Sequence, residues 1–160
     1  MTDNLKKLLR SFKYAAAGII YSIKTQRNMR FHIGAAGAVL MISQFYEFTR
    51  GEYALLMIIF ALVICSEMIN TAIEKTVDLV SEDYHVLAEK AKDCAAGAVL
   101  ISAFFAAAAG VFLFWDTSVF ADICDYFINT PVYIGVALLY LVLWIWFVLG
   151  YEKEEINEKK

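Results

Sequence analysis

The sequence is poor in the residues that break or link secondary structure, and it is poor in charge. Of 160 residues, one is proline (Pro131) and eight are glycine, which leaves no composition for a flexible low-complexity linker. Only 19% of the residues are charged, whereas 61% are hydrophobic. A soluble domain is about half apolar and about a quarter charged. The composition therefore indicates a membrane protein, and the length fits one ordinary domain.

The sequence also lacks paired cysteines and the glycine-rich motifs of soluble nucleotide-binding proteins. The three cysteines, Cys65, Cys94 and Cys124, are odd in number and have no CxxC spacing, so we expect no disulfide framework. No GxxxxGK[ST] or GxGxxG occurs, which excludes a P-loop or a soluble-kinase type of nucleotide site. No feature predicts a nucleic-acid partner.

Residues 4–27 have the pattern of an amphipathic helix that lies on a membrane surface. Apolar residues recur at helical spacing, and lysines and arginines occupy much of the other face. The segment lacks a compact apolar core followed by a small-residue cleavage site, so we expect it to be retained rather than removed as a signal peptide. We assign residues 1–30 to this surface helix.

Four apolar segments follow, each near the length of about 20 residues that crosses a membrane as a helix. Their small-residue runs, such as "GAAGA" at 34–38, suit the close helix packing that bilayers require. The four segments are 31–48, 53–73, 94–115 and 132–151. We therefore predict an all-α integral membrane protein with a three-helix core over 31–115. Residues 116–160 would add a solvated acidic external loop, a fourth transmembrane helix and a charged tail.

The distribution of basic residues predicts the orientation. If the apolar segments cross the membrane alternately, thirteen of the fourteen lysines and arginines lie on one side and only Arg50 lies on the other. By the positive-inside rule, the basic side is cytoplasmic. We therefore expect a multi-pass protein of the cytoplasmic (inner) membrane with the N-terminus, the 74–93 connection and the C-terminus in the cytoplasm.

A polar stripe ends the second apolar segment. On a helix, Glu67, Asn70, Glu74 and Asp78 fall within an arc of about 80°. Glu67 and Glu74 are separated by roughly 10 Å along the axis, which suggests two stations with different tasks. Lys92 and Asp93 open the next apolar helix at about the same depth.

The stripe suits phosphoryl transfer from a nucleotide to a lipid. A triphosphate needs a divalent cation held by carboxylates and a positive charge near the transferring group, for which Glu74 and Lys92 are placed. A lipid hydroxyl needs a carboxylate near the membrane boundary to accept its proton, for which Glu67 is placed. Two alternatives remain open here. Ionisable residues near helix ends can reach the interface or pair inertly, and the stripe could instead line a cation path in a non-catalytic membrane protein.

Several stretches resemble the bacterial diacylglycerol kinase/undecaprenol kinase family. They are "EMINTAIEKTVD", "YHVLAEKAKD" and "AAGAVLI", and "RNMRFH" resembles the undecaprenol kinase branch. The resemblance covers residues 5–115. It implies an ATP-dependent lipid kinase that forms a homotrimer with active sites shared between subunits. It favours undecaprenol as the substrate, to give undecaprenyl phosphate, with diacylglycerol to phosphatidic acid as the alternative.

The resemblance also implies roles for individual residues. Glu67 would be the general base, and Asn70 and Lys92 would complete the catalytic set. Nucleotide contacts are implied for Lys7, Arg10, Tyr14, Gln26, Glu74, Asp83, Tyr84, His85, Lys92 and Asp93. Magnesium ligands would be Glu74 and Gln26, with Asp78 of the stripe as our further candidate, and lipid contacts are implied for Asn28, Arg30, His32, Glu67 and Ala96.

Two features depart from the family pattern. Where a second metal-binding glutamate is expected, the chain has Gln26, whose carbonyl oxygen can ligate magnesium but carries no charge. The segment 132–151 lies beyond the usual three-helix core, and we expect it to be a lipid-facing or packing helix that returns the tail to the cytoplasm. Trp144 and Trp146 fall near its cytoplasmic end, where indole rings favour the interface.

Overall fold

The structure is a computed structural model that describes residues 3–81 and 85–150. Every regular element in this part of the chain is a helix, which confirms the all-α prediction. The α-helices are α1 (Asp3–Thr25), α2 (Arg27–Ile42), α3 (Arg50–Val80), α4 (Val86–Phe114), α5 (Thr117–Asn129) and α6 (Val132–Gly150), and a 3₁₀ turn (Ser43–Phe45) follows α2.

Three of the described helices, α3, α4 and α6, are long and apolar enough to cross a membrane. Helix α2 has 16 residues and is not one of them. With the 3₁₀ turn, however, it rises about 30 Å, which equals the thickness of the hydrocarbon layer. The crossing expected over 31–48 therefore stays a prediction.

Neighbouring helices run antiparallel. At one end of the molecule, Tyr46 donates a hydrogen bond of 2.8 Å to the carbonyl of Phe114, so the end of α2 lies beside the end of α4. At the opposite end, Lys92 at the start of α4 meets Asp78 near the end of α3. Arg30 at the start of α2 reaches Val148 at the end of α6. The starts of α2 and α4 and the ends of α3 and α6 therefore lie at one end, as alternating crossings require.

Helix α5 corrects the expectation that the 116–131 connection is a solvated loop. Asp116 caps the helix, because its Oδ1 accepts hydrogen bonds from the backbone N–H groups of Ser118 (2.9 Å) and Val119 (3.4 Å). The hydrogen bonds from Ser118 hold the pKa of the Asp116 carboxyl below its ordinary value. Ile123 and Phe127 lie one turn apart and line an apolar cavity against α2 and α6. The sequence prediction was based on the acidic residues of this segment and overlooked the helical spacing of its apolar residues, such as Ile123 and Phe127.

Candidate functional site

Glu67 is the most unusual side chain of the described chain. It lies midway along α3, is 1% exposed, and neither carboxylate oxygen has a hydrogen-bond partner. A buried polar group is nearly always hydrogen-bonded, and an ionisable group inside a membrane segment is functional by default. The position of Glu67 is therefore one where a ligand's hydroxyl or cation can supply the missing partner.

Asn70 and Glu74 continue the face of α3 that carries Glu67. The amide nitrogen Nδ2 of Asn70 donates a hydrogen bond of 2.8 Å to Oε1 of Glu74, which fixes the half-buried Glu74 carboxylate. Asn70 is 6% exposed and its Oδ1 has no partner. Glu67 and Asn70, which are neighbours on one face of α3, therefore both have buried oxygen acceptors without a hydrogen-bond partner.

Asp78 and Lys92 form an ion pair at the end of the α3–α4 hairpin. The Lys92 Nζ lies 2.5 Å from the Asp78 Oδ1, and the two side chains are 41% and 51% exposed. An exposed pair is held weakly because water screens it. The Lys92 ammonium is therefore available to an incoming anion that competes with Asp78.

An apolar cleft of about 290 Å³ lies between α2, α3 and α4, beside Glu67. Val63 lines the cleft and precedes Glu67 by four positions, so Glu67 lies one turn along the same face of α3. His32 is the one lining residue with a polar side chain. The others are Phe31, Ala35, Ala36, Val39, Leu56, Ile59, Phe60, Val63, Ile64, Ala103, Ala106, Ala107, Gly110 and Phe114.

Three nucleotide contacts implied for α1 lie on that helix far from Gln26, the candidate that follows its last turn. Lys7, Arg10 and Tyr14 lie on exposed parts of α1, about 18 to 28 Å along the axis from Gln26. Tyr14 is 67% exposed. Within one chain, these three residues therefore lie well apart from Gln26 along α1.

The remaining nucleotide candidates lie at or near the start of α4. The Nδ1 of His85 accepts a hydrogen bond of 3.2 Å from the backbone N–H of Leu87 and so caps the helix. Asp93 is exposed in the second turn of α4. Asp83 and Tyr84 lie outside the described residues.

The residues implied for lipid contact lie in different environments. His32 is half-buried in the cleft, whereas Asn28 and Ala96 are exposed. Arg30 is 2% exposed and donates hydrogen bonds to main-chain carbonyls of α1 and α6. Gln26 is half-buried at the bend between α1 and α2, with extended backbone dihedral angles.

The sequence reasoning did not single out two buried polar residues near this bend and stripe. Thr71 is 3% exposed and donates a hydrogen bond of 2.8 Å to the backbone carbonyl of Glu67. Ser22, at the end of α1, is 4% exposed. The i+4 spacing of Thr71 from Glu67 was the available signal, because it places both residues on one face of the helix.

Comparison with known proteins shows that the part of the chain carrying Glu67, Asn70 and Glu74 matches a protein family. A model for prokaryotic diacylglycerol kinase matches residues 13–114. The chain is 38% identical over 112 residues to the undecaprenol kinase of Bacillus subtilis, covering 70% of this chain and 91% of that protein.

Two curated diacylglycerol kinases are also similar. The chain is 45% identical over 104 residues to that of Synechocystis, covering 64% of this chain and 59% of that protein. It is 30% identical over 98 residues to that of Pseudomonas aeruginosa, covering 61% of this chain and 80% of that protein. No solved structure matches the chain.

Proposed function

The chain belongs to the prokaryotic diacylglycerol kinase family and is a lipid kinase, and we propose that it transfers the γ-phosphoryl group of ATP to undecaprenol. The observation that carries this proposal is the buried, unpartnered Glu67 carboxylate beside an apolar cleft. The similarity to an undecaprenol kinase over 91% of that protein's length supports the choice of acceptor. The alternative that the chain is a non-catalytic membrane protein has no support from these relatives, which are kinases.

The lining of the cleft favours undecaprenol over diacylglycerol. Undecaprenol is a hydrocarbon chain with one hydroxyl, whereas diacylglycerol also carries two ester carbonyls that need hydrogen-bond donors or water when buried. His32 is the one polar side chain of the lining, so the cleft offers few such donors. Diacylglycerol stays the alternative because the relative from Synechocystis, at 45% identity, is a diacylglycerol kinase.

In the proposed reaction, Glu67 accepts the proton of the lipid hydroxyl. Both Glu67 oxygens lack a protein partner, so the hydroxyl can donate to either of them. As the proton moves to the carboxylate, the hydroxyl oxygen forms a bond to the γ-phosphorus. The bond from that phosphorus to the β–γ bridging oxygen breaks, and ADP leaves. Lys92 would neutralise charge on the phosphates after separating from Asp78.

Magnesium bound with ATP is part of the proposal, and the described residues fit it. Mg²⁺ is usually held by one or two carboxylates together with substrate phosphates. Glu74, fixed by Asn70, would hold the ion beside the phosphates, and Gln26 is the further proposed ligand, whereas Asp78 pairs with Lys92. Within residues 3–81 and 85–150, no group of three or more His, Cys, Asp or Glu side chains forms a metal site of its own. When bound, the ion would neutralise charge that develops on the phosphates.

We also propose that the active enzyme is a homotrimer in the cytoplasmic membrane with both termini in the cytoplasm. The distance of Lys7, Arg10 and Tyr14 from Gln26 within one chain supports this, since a neighbouring subunit's α1 can bring them to the nucleotide. The positive-inside distribution of basic residues supports the orientation.

The Asp78–Lys92 pair gives a test of what Asp78 does. We expect Asp78→Asn to lower the KM for ATP, because Lys92 no longer has to leave a carboxylate to meet the phosphates. The free energy of unfolding should change by less than about 1 kcal/mol, since the pair is exposed. Steady-state kinetics and thermal unfolding in detergent measure the two effects. An increased KM for ATP, together with a higher Mg²⁺ requirement, would instead assign Asp78 to the metal.

Filling the apolar cleft tests the lipid site. Ala103 lines the cleft from α4, and we expect Ala103→Phe to raise the KM for the lipid while the KM for ATP stays unchanged. The matched control is Ala61→Phe, because Ala61 is exposed on α3 and does not line the cleft. Kinetics in mixed micelles with each substrate varied in turn give both values. Equal lipid KM values in the two variants would show that the acceptor does not use this cleft.

A further inference from the structure

Helix α6 lies outside residues 13–114, which match the family, yet it packs on α2 in a defined register. Two glycines of α2, Gly34 and Gly37, make room for two aromatic side chains of α6. A Cβ atom added at Gly34 would lie 2.0 Å from the Trp144 ring nitrogen, and one at Gly37 would lie 2.6 Å from the Tyr140 hydroxyl. The α6 rings thus occupy the space that larger residues of α2 would fill.

Polar and aromatic contacts fix this register further. The Tyr140 hydroxyl donates a hydrogen bond of 2.6 Å to the backbone carbonyl of Gly34. The ring of Trp144 lies 5.4 Å from the ring of Phe31, measured between centroids. Phe31 also lines the apolar cleft, so one side chain contacts both α6 and the proposed lipid site. A helix that merely faced lipid would need none of these contacts.

Arg30 joins the end of α6 to the bend between α1 and α2. Its Nη1 donates hydrogen bonds to the carbonyls of Ile23 (3.0 Å) and Lys24 (2.9 Å) in the last turn of α1. Its Nε (3.2 Å) and Nη2 (3.1 Å) donate to the carbonyl of Val148 in the last turn of α6. Carbonyls of a final helical turn lack partners within the helix and form the negative end of its dipole. The buried guanidinium therefore satisfies two helix ends at once.

The bend held in this way carries residues of the proposed active site. Gln26 lies between α1 and α2, and Phe31 and His32 follow Arg30 at the edge of the cleft. Without α6, two of these four hydrogen bonds of Arg30 have no acceptor, and Phe31 loses its contact with the Trp144 ring. The position of the bend relative to Glu67 therefore depends on a helix that the family core does not include.

We propose that α6 is a positioning element of the kinase, which sets the α1–α2 bend and the edge of the cleft formed by Phe31 through Trp144, Tyr140 and the Arg30–Val148 contact. This inference rests on the proposed function for its kinetic consequence. Phe31 and His32 line the cleft, so a shift of the bend changes the shape of the proposed lipid site and hence the KM for the lipid.

The test uses full-length variants in detergent. Trp144→Leu removes the ring that packs on Phe31, and Trp146→Leu is the matched control because Trp146 is 66% exposed on the same helix. We expect Trp144→Leu to raise the lipid KM up to about tenfold at a temperature where the protein stays folded, because an aromatic pair is lost. Trp146→Leu should keep the parent value, and Trp144→Phe, which retains a ring, should restore most of the affinity. Tyr140→Phe is a milder second variant that removes only the hydrogen bond to Gly34, and it should raise the lipid KM in the same direction.

Amide hydrogen exchange across residues 24–32 reports the bend without any reaction. We expect exchange there to accelerate in Trp144→Leu and to stay unchanged in Trp146→Leu. Unchanged lipid KM values in both Trp144→Leu and Tyr140→Phe would overturn the positioning role, even if thermal stability falls. If the parent protein phosphorylates neither lipid, the proposed function fails. The exchange data then decide by themselves, and equal exchange in the Trp144 and Trp146 variants overturns the proposal.

Discussion

Glu67→Gln is expected to lower lipid phosphorylation by about 100- to 10,000-fold, the range by which a general base accelerates a reaction. The amide of glutamine cannot take the proton of the lipid hydroxyl at neutral pH. Its size matches that of glutamate, so the cleft and the helix packing should persist. Initial rates of phosphate transfer measure the loss. Glu47→Gln is the control, because Glu47 is exposed and lies at the end of the molecule opposite to the Asp78–Lys92 pair.

An apolar substitution of Glu67 should abolish activity and yet increase the stability of the fold. Both Glu67 oxygens are buried without a partner, and leaving a buried polar group unsatisfied costs about 1 to 3 kcal/mol. We therefore expect Glu67→Met, which is apolar and of similar volume, to unfold at a higher temperature than the parent while losing activity. A loss of both activity and stability would contradict the assignment, because it would mean that the Glu67 carboxylate holds the fold together.

Gly34→Ala is expected to destabilise the protein by about 1 to 3 kcal/mol, the usual result of adding a methyl group to a filled contact. The added Cβ would lie 2.0 Å from the Trp144 ring, so α6 must shift and its hydrogen bond from Tyr140 to Gly34 must lengthen or break. Thermal unfolding followed by circular dichroism in one detergent measures the change.

Gly97→Ala is the matched control for Gly34→Ala. A Cβ at Gly97, in the interior of α4, meets nothing within 4 Å. In a helix interior, alanine is more favourable than glycine by up to about 1 kcal/mol, so this variant should be neutral or slightly more stable. The change in the free energy of unfolding should therefore have opposite signs, or be near zero for Gly97→Ala. Equal effects at Gly34 and Gly97 would contradict the docking of α6 on α2.

Local sequence patterns predicted the features that depend on one helix at a time. The polar stripe follows from the helical period, and α3 does carry Glu67, Asn70 and Glu74 together. Helix α5 escaped prediction because its aspartates suggested a solvated loop, although Asp116 is a favourable capping residue.

Contacts between helices were less predictable. The run "GAAGA" indicated a close helix approach, but it did not indicate that Trp144 and Tyr140 of α6 fill it. In a membrane, lipid tails are as apolar as a helix face, so hydrophobicity does not distinguish a packed face from a lipid-facing one. The partners of Arg30 were equally hidden, because its hydrogen bonds go to backbone carbonyls that have no sequence signature.

The most direct test of the central claim is the transfer of labelled γ-phosphate from Mg-ATP to undecaprenol in mixed micelles, with diacylglycerol as a separate acceptor. The parent protein, Glu67→Gln and Glu47→Gln are measured together. The account predicts labelled undecaprenyl phosphate from the parent and from Glu47→Gln, none above background from Glu67→Gln, and slower labelling of diacylglycerol. Equal labelling of undecaprenol by the parent and Glu67→Gln, or no labelled lipid from the parent with either acceptor, would contradict it.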